Sequence, residues 1–342
     1  VAKLMPSLQF VRIANHVTHK KAAVITAGSK NRLRLDCKSF VCRIAGENAY
    51  TCPQMRISLD NAYELIDSGE GNKLERFGPH ALVRPCAAAV WAPTLPESDW
   101  NAATARFGRE DGNSWTFREQ LPSSWDIRID GLSFRLNATG FGHVGVFPEQ
   151  RASWKWIRET IHARSGRPGR ISALNLFAYS GGATLAAAAA GAAVCHLDAS
   201  RGMVARAREN AALNGLDKAP IRWIVDDVSK FLDREIRRQS RYDAIILDPP
   251  SFGRGKSGEL YKIEEDLLPT IAKCKALLSE QPLFLLLSCH TPGFTPLVLE
   301  NIVRQQMKGC AGRTESGEML LTGKPGVVPV PSGTYAAWRA EG

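Results

Sequence analysis

From about residue 170 to the end of the chain, short apolar runs alternate with stretches whose apolar residues recur every three to four positions. "SALNLFAY" (172–179), "AVCHLDAS" (193–200), "IRWIVDD" (221–227), "YDAIILD" (242–248) and "PLFLLLSC" (282–289) read as strands. "GATLAAAAAG" (182–191), "RGMVARARENAALNG" (201–215), "VSKFLDREIRRQ" (228–239) and "EEDLLPTIAKCKALL" (264–278) read as helices, the second closed by Gly215. Such alternation predicts βαβ units in a parallel sheet with helices on both faces. "GEMLLTG" and "TYAAWRA" near the end predict an antiparallel hairpin.

Ahead of that region the rhythm differs. "YELIDSGEGNKLERFG" (63–78), "ALVRP" (81–85), "WDIRID" (125–130) and "LSFRLNATG" (132–140) are strand-like and broken by Gly, Pro and Asp, which predicts a small β-rich accessory domain over 61–140. "EQRASWKWIRETIHAR" (149–164) has helical spacing, with Trp154, Ile157 and Ile161 on one side, and "SGRPGR" breaks it. The expected fold class is α/β: a doubly wound, mostly parallel sheet over 141–342, preceded by the accessory domain. Residues 1–60 are irregularly patterned and read as a basic N-terminal extension. Met55 stands just ahead of the first well-formed stretch, so the extension is expected to be either a genuine arm or unordered, non-native sequence.

The 342 residues carry a net charge of +10, which suits an acidic partner such as nucleic acid. The excess is local: residues 1–60 hold 10 basic and 3 acidic side chains, 61–170 hold 14 and 13, and 171–342 hold 20 and 18. Net charge therefore gives the remainder of the chain no independent claim on RNA. The eight cysteines (Cys37, Cys42, Cys52, Cys86, Cys195, Cys274, Cys289, Cys310) include no C-x-x-C pair and the histidines show no metal-ligand spacing, which argues against a metal site and a disulfide framework. No apolar stretch approaches the ~18 residues of a membrane span, and the start lacks a cleavable signal, so a cytoplasmic protein with reduced thiols and no membrane contact is expected.

In open α/β sheets, ligands bind beyond the C-terminal ends of the strands, where strand order reverses. Four such ends here are polar or glycine-rich. "NLFAYSGGATL" puts Ser180, Gly181 and Gly182 in a tight turn that a cofactor can approach, yet lacks the G-x-G-x-x-G that seats a pyrophosphate. A phosphate-free adenosine compound fits better than a dinucleotide, which disfavours a dehydrogenase; the bland alternative is an ordinary strand-to-helix turn. Asp198, 16 residues beyond Gly182, can accept from both ribose hydroxyls or cap the next helix, a task open to Ser200 as well. Asp226 and Asp227 close the third strand, where one carboxylate can take an adenine amino group and one can cap. Asp248 ends the fourth, and Pro249 and Pro250 stiffen the backbone after it into a platform of acceptors, beside which Phe252 can stack on a planar base.

Taken in order, "FPEQRASW", "LNLFAYSGGATLAAAAAGA", "LDAS", "ARENAALNG", "DDVSKFL" and "DPPSFGRG" resemble class I S-adenosylmethionine-dependent methyltransferases. The resemblance is closest to the large-subunit ribosomal RNA group that contains cytosine-5 and guanine-N7 enzymes, and it covers about 140–300, with a weaker match from about 61. It implies a seven-stranded Rossmann-like sheet and S-adenosylmethionine as cofactor. Phe177, Tyr179, Ser180 and Gly181 would surround the methionyl part, with Gln150 lining the same pocket. Asp198 would bind the ribose with Ser200 beside it, Asp227 the adenine amino group, and Asp248 would face the transferred methyl.

Two departures bear on the target. Amino-group methyltransferases place an aromatic directly after Asp-Pro-Pro, whereas Ser251 stands here and Phe252 follows, which counts against an exocyclic nitrogen. Related cytosine-5 enzymes carry a nucleophilic cysteine after the fifth strand, and "LLLSCHTPGF" puts Cys289 there with His290 next. Carbon 5 of cytosine becomes nucleophilic once a thiolate adds to carbon 6, and a neighbouring cation favours thiolate, although adjacent strand residues face opposite sides. The alternative for Cys289 is a small core filler. The expected function is methyl transfer to a base of ribosomal RNA flipped into the pocket, with Arg254 and Lys256 of "GRGKSG" contacting phosphate or only solvent. Because fold does not determine acceptor, methylation of a protein or small molecule, and a non-catalytic RNA-binding module with a vestigial pocket, are the rival readings.

Overall fold

The computed structural model describes residues 62–109, 112–164, 169–254 and 258–341, together with the backbone of three short strands between 24 and 44. Contacts divide the chain into two compact units, Val1–Ser58 and Leu59–Gly342. In the first, β1 (Val24–Ala27), β2 (Asn31–Leu35) and β3 (Cys42–Ile44) pair antiparallel in that order. The remainder of the expected basic extension lies outside the described residues.

The second unit opens with a five-stranded sheet of β4 (Tyr63–Gly69), β5 (Asn72–Phe77), β6 (His80–Pro85), β7 (Ala105–Gly108) and β8 (Ser114–Phe117), in chain order. All pairs are antiparallel except β6–β7, which a loop carrying the short helix α1 (Glu97–Asn101) joins in parallel. A separate hairpin, β9 (Trp125–Ile129) and β10 (Leu132–Leu136), follows. A single 3-10 turn at Pro148–Gln150 then leads into α2 (Arg151–His162), whose Trp154, Ile157 and Ile161 are buried as the helical spacing requires.

The alternating region forms β11 (Ser172–Leu176), α3 (Gly182–Ala189), β12 (Ala193–Asp198), α4 (Arg201–Leu213), β13 (Ile221–Val225), α5 (Val228–Arg237) and β14 (Ala244–Leu247). A small flap of β15 (Phe252–Arg254) and β16 (Leu260–Lys262) precedes α6 (Ile263–Ala276), β17 (Phe284–Cys289), α7 (Pro296–Gln306), β18 (Gly312–Leu321) and β19 (Val330–Ala340). The main sheet has seven strands in the order β13-β12-β11-β14-β17-β19-β18, and within it only β19 runs against the others. Strand order reverses between β11 and β14, which opens a crevice above their C-terminal ends.

Period-two alternation sorts each strand's side chains into two cores. Ala173, Val194, Ala244, Ile246, Phe284 and Leu286 pack with α2 and the alanine-rich α3. Leu174, Leu176, Cys195, Leu197, Ile245, Leu247, Leu285 and Leu287 pack with Phe231, Leu232, Leu267, Ile271, Leu299 and Val303 of α5 to α7. The β9–β10 hairpin is tied to this body by two asparagines one turn apart, Asn210 of α4 and Asn214, which caps its C-terminus. Asn210 Oδ1 accepts from the Arg135 amide at 2.8 Å while its Nδ2 donates to the Ser180 carbonyl at 2.9 Å. Asn214 makes a matching pair of bonds with the backbone of Ser133. The two amides thus complete the edge of β10 as a neighbouring strand would. Among the described residues, no helix is long and apolar enough to cross a membrane.

Candidate active site

β11 stops at Leu176, short of its apolar run, because Phe177 (φ 54°) and Tyr179 (φ 48°) adopt the left-handed conformation. Each costs about 1–2 kcal/mol for a residue with a Cβ. The surroundings hold the pair in place: the Ala178 amide donates to the Leu197 carbonyl and the Tyr179 amide to Asp198 Oδ2 at 2.9 Å. The kinked loop turns both rings into a cavity of about 940 Å³ that lies over the ends of β11 to β14.

The strand-end residues converge there. Phe177, Tyr179, Asp198, Ser200, Asp227, Asp248 and Phe252 all line the cavity. Gln150 and Ser180 line a smaller hollow of about 50 Å³ that shares Phe147, Phe177, Tyr179 and Asp248 with it. Asp198 accepts from the Tyr179 amide and, at 2.8 Å, from the Ser200 amide, which sets its carboxylate plane and leaves outward lone pairs for a diol. Burial pushes its carboxyl above the ordinary range, partly offset by those two bonds. Ser200 caps α4 through the Met203 amide, and Asp227 caps α5 through the Lys230 amide, so Asp227 keeps one oxygen free. Asp226 turns away to pair with Arg234. Asp248 accepts from Ser288 Oγ at 2.7 Å and from the Gln150 side-chain amide Nε2 at 3.2 Å, the latter also donating to Ser288.

Two expected residues do not reach the cavity. Gly181, in the left-handed region (φ 94°), caps α3, and a Cβ there would lie 3.1 Å from that of Ala207; a Cβ on Gly182 would lie 2.6 Å from the Trp154 indole. The glycine pair thus answers to the tight turn and to helix packing, and its lack of side chains is already used inside the protein. Cys289 lies on the same parity as Leu285 and Leu287, 1% exposed in the core against α5 to α7, whereas Ser288 faces Asp248. Burial raises its thiol pKa, the Thr291 amide offsets this in part, and the Asp248 charge adds to it. Lys256 lies outside the described residues.

Several lining residues had no signal in their local sequence. Lys73 of β5, Arg84 of β6, and Phe107 and Arg109 at the end of β7 form a wall from the accessory sheet. Glu75 sits behind it, held by Arg84 at 2.6 Å, Lys73 at 3.4 Å and the Tyr63 hydroxyl at 2.9 Å. Lys73 and Arg84 thus reach the cavity wall already paired with a carboxylate. Phe141, 78% exposed, and Phe252, 53% exposed, also line the cavity, and the Arg254 guanidinium carbon lies 6.0 Å from the centre of the Phe252 ring. His290 stands with Nε2 3.7 Å from Asp248 and Nδ1 4.0 Å from Glu149, and Phe147 packs against the rings of His143, Tyr179 and His290. The cavity can therefore hold an adenosine-bearing compound over its carboxylates and a second, planar molecule against its cationic and aromatic wall.

The S-adenosylmethionine-dependent methyltransferase family profile matches residues 79–304. The chain is 38% identical to the crystal structure of the SAM-dependent methyltransferase from Agrobacterium tumefaciens, with a TM-score of 0.78 over 82% of this chain and 91% of that one. It is 33% identical over 151 residues to a ribosomal RNA large subunit methyltransferase K/L of Shewanella baltica (strain OS195), 44% of this chain and 20% of that protein. It is 35% identical over 136 residues to the protein of that name from Syntrophotalea carbinolica, 40% of this chain and 18% of that one. The chain thus spans about a fifth of the length of the curated relatives it matches.

Proposed function

The chain belongs to the S-adenosylmethionine-dependent methyltransferase family, and from that premise we propose that it methylates a base of RNA, large-subunit ribosomal RNA first among candidates, in the cytoplasm. The observation that carries the reading is the outer wall of the cavity. Exposed Phe141 and Phe252 offer stacking faces, and Arg109, Arg201 and Arg254 offer cations, in the same cavity as the strand-end carboxylates. The ribosomal RNA methyltransferases among the relatives support the same acceptor class.

In this reading Asp198, with its plane set by the Tyr179 and Ser200 amides, takes the ribose diol, Ser200 lies beside it, and the free oxygen of Asp227 takes the adenine amino group. Phe177, Tyr179, Ser180 and Gln150 enclose the methionyl part. S-adenosylmethionine supplies, when bound, a sulfonium-activated methyl carbon. Asp248, held by Gln150 and Ser288, and the rigid Pro249-Pro250 edge orient the acceptor toward that carbon, so that alignment rather than acid–base chemistry carries much of the acceleration. Phe252 stacks on the base, which leaves its own strand or stem to enter. Residues 61–140 act as the RNA-binding appendage to a catalytic domain over 141–342. Cys289 acts as a core residue; its parity on β17 and its raised thiol pKa support that role over a nucleophile.

The test is transfer of labelled methyl from S-adenosylmethionine into extracts of cells lacking the gene, followed by mass spectrometry of ribosomal RNA nucleosides. Label in RNA with one nucleoside restored is the expected result. Label confined to protein ends the RNA reading.

A further inference from the structure

One carboxylate oxygen of a residue that lines the cavity is buried and has no partner. Glu149, in the 3-10 turn ahead of α2, is 5% exposed and lines the cavity. Its Oε1 accepts from Ser332 Oγ at 3.0 Å, while Oε2 is buried without a hydrogen bond. The donors around it are committed elsewhere: the Tyr63 hydroxyl to Glu75, Arg84 Nε and Nη2 to Glu75, and Arg84 Nη1 to the Gly142 carbonyl. His290 comes no closer than 4.0 Å, and to Oε1. A buried carboxylate oxygen left in that state opposes folding unless a donor arrives from outside the chain.

We propose that Glu149 is a target-binding residue whose Oε2 accepts a hydrogen bond from an N–H group of the methyl acceptor and so sets which edge of it meets Asp248. This rests on the methyltransferase reading of the cavity. The position separates target from cofactor. Ser332 belongs to β19 and Asp198 to β12, four steps apart in the sheet, roughly 19 Å at about 4.8 Å per step. Glu149 therefore stands beyond Asp248 on the side away from the ribose carboxylate. Its charge also orients the acceptor: phosphate is repelled here and attracted to Arg109, so a base enters with an imino or amino edge toward Glu149 and its backbone toward that cation. An acceptor lacking an N–H on that edge leaves Oε2 unpaired and is discriminated against.

The experiment compares the full chain with Glu149→Gln, an isosteric change that keeps an acceptor for Ser332 and replaces the charge. Three readouts are taken: S-adenosylmethionine affinity by calorimetry, thermal midpoint, and kcat/KM on whichever macromolecule the wild-type enzyme labels in extracts of cells lacking the gene. The proposal expects kcat/KM to fall about 10- to 100-fold, cofactor affinity to hold within about twofold, and the midpoint to hold or rise. Activity within about threefold of wild type overturns it, since an ordered water then suffices for Oε2. A cofactor affinity weakened about tenfold also overturns it and assigns the oxygen to the cofactor's ammonium, and a midpoint lowered in step with activity makes the role structural. Failure of the RNA reading looks different: the wild-type enzyme then labels protein, and the variant is compared on that protein.

Discussion

Replacing Cys289 by alanine separates two chemistries that the strand-end text leaves open. The change removes one buried heavy atom on the face of β17 that packs against α5 to α7 and leaves Ser288, Asp248 and Gln150 in their hydrogen-bonded triangle. Loss of a single buried methyl-sized group costs about 1 kcal/mol, which for a unit of this size lowers the thermal midpoint by about 2–4 °C. Burial holds the thiol neutral at pH 7 to 8, where a nucleophile needs thiolate, so native-state alkylation of Cys289 is expected to be slow compared with alkylation after unfolding. Methyl transfer by the alanine variant, measured with labelled cofactor at saturating RNA, is expected to stay within about twofold of wild type. A variant that binds cofactor normally and melts within a few degrees of wild type, yet has lost all turnover, refutes the argument. It requires β17 to present Cys289 to the base in a conformation other than this one.

Asp198→Ala removes both diol acceptors and orphans the Tyr179 and Ser200 amides, so cofactor affinity by calorimetry is expected to fall about 100-fold or more. In the intact protein the Asp198 carboxyl is raised by burial, and the diol needs the ionised form. Cofactor affinity therefore weakens on acidification, beginning at a higher pH than an ordinary aspartate gives; an affinity that falls no earlier than an ordinary aspartate titrates contradicts the assignment. Asn210→Ala leaves the Arg135 amide and Ser180 carbonyl unpaired and is expected to cost about 2–4 kcal/mol in urea unfolding, a loss that a cost below about 0.5 kcal/mol rules out. Phe252→Ala is expected to raise KM for RNA about 5- to 100-fold with cofactor affinity unchanged, since base–aromatic stacking contributes about 1–3 kcal/mol; an unchanged KM removes Phe252 from the RNA path.

The order of apolar runs was enough to place the parallel sheet and the cleft at its strand ends. Parallel strands buried on both faces must read as continuous apolar runs, and their C-terminal ends must converge at the switch between β11 and β14, so Asp198, Asp227 and Asp248 were legible as neighbours before any coordinates. Strand parity was not legible: in "FLLLSC" every residue is buried, and only the helices packed on each side decide that Ser288 meets Asp248 while Cys289 meets α5 to α7. Nor was the use of Gly182, which depends on an indole from α2, or the pairing of Glu75 with Lys73 and Arg84, which joins neighbouring strands behind the cavity wall. Local periodicity is a property of consecutive residues and survives in one dimension. Whether a given side chain is paired, as at Glu149, depends on what every neighbour from distant segments has already bonded, and only the folded chain decides that.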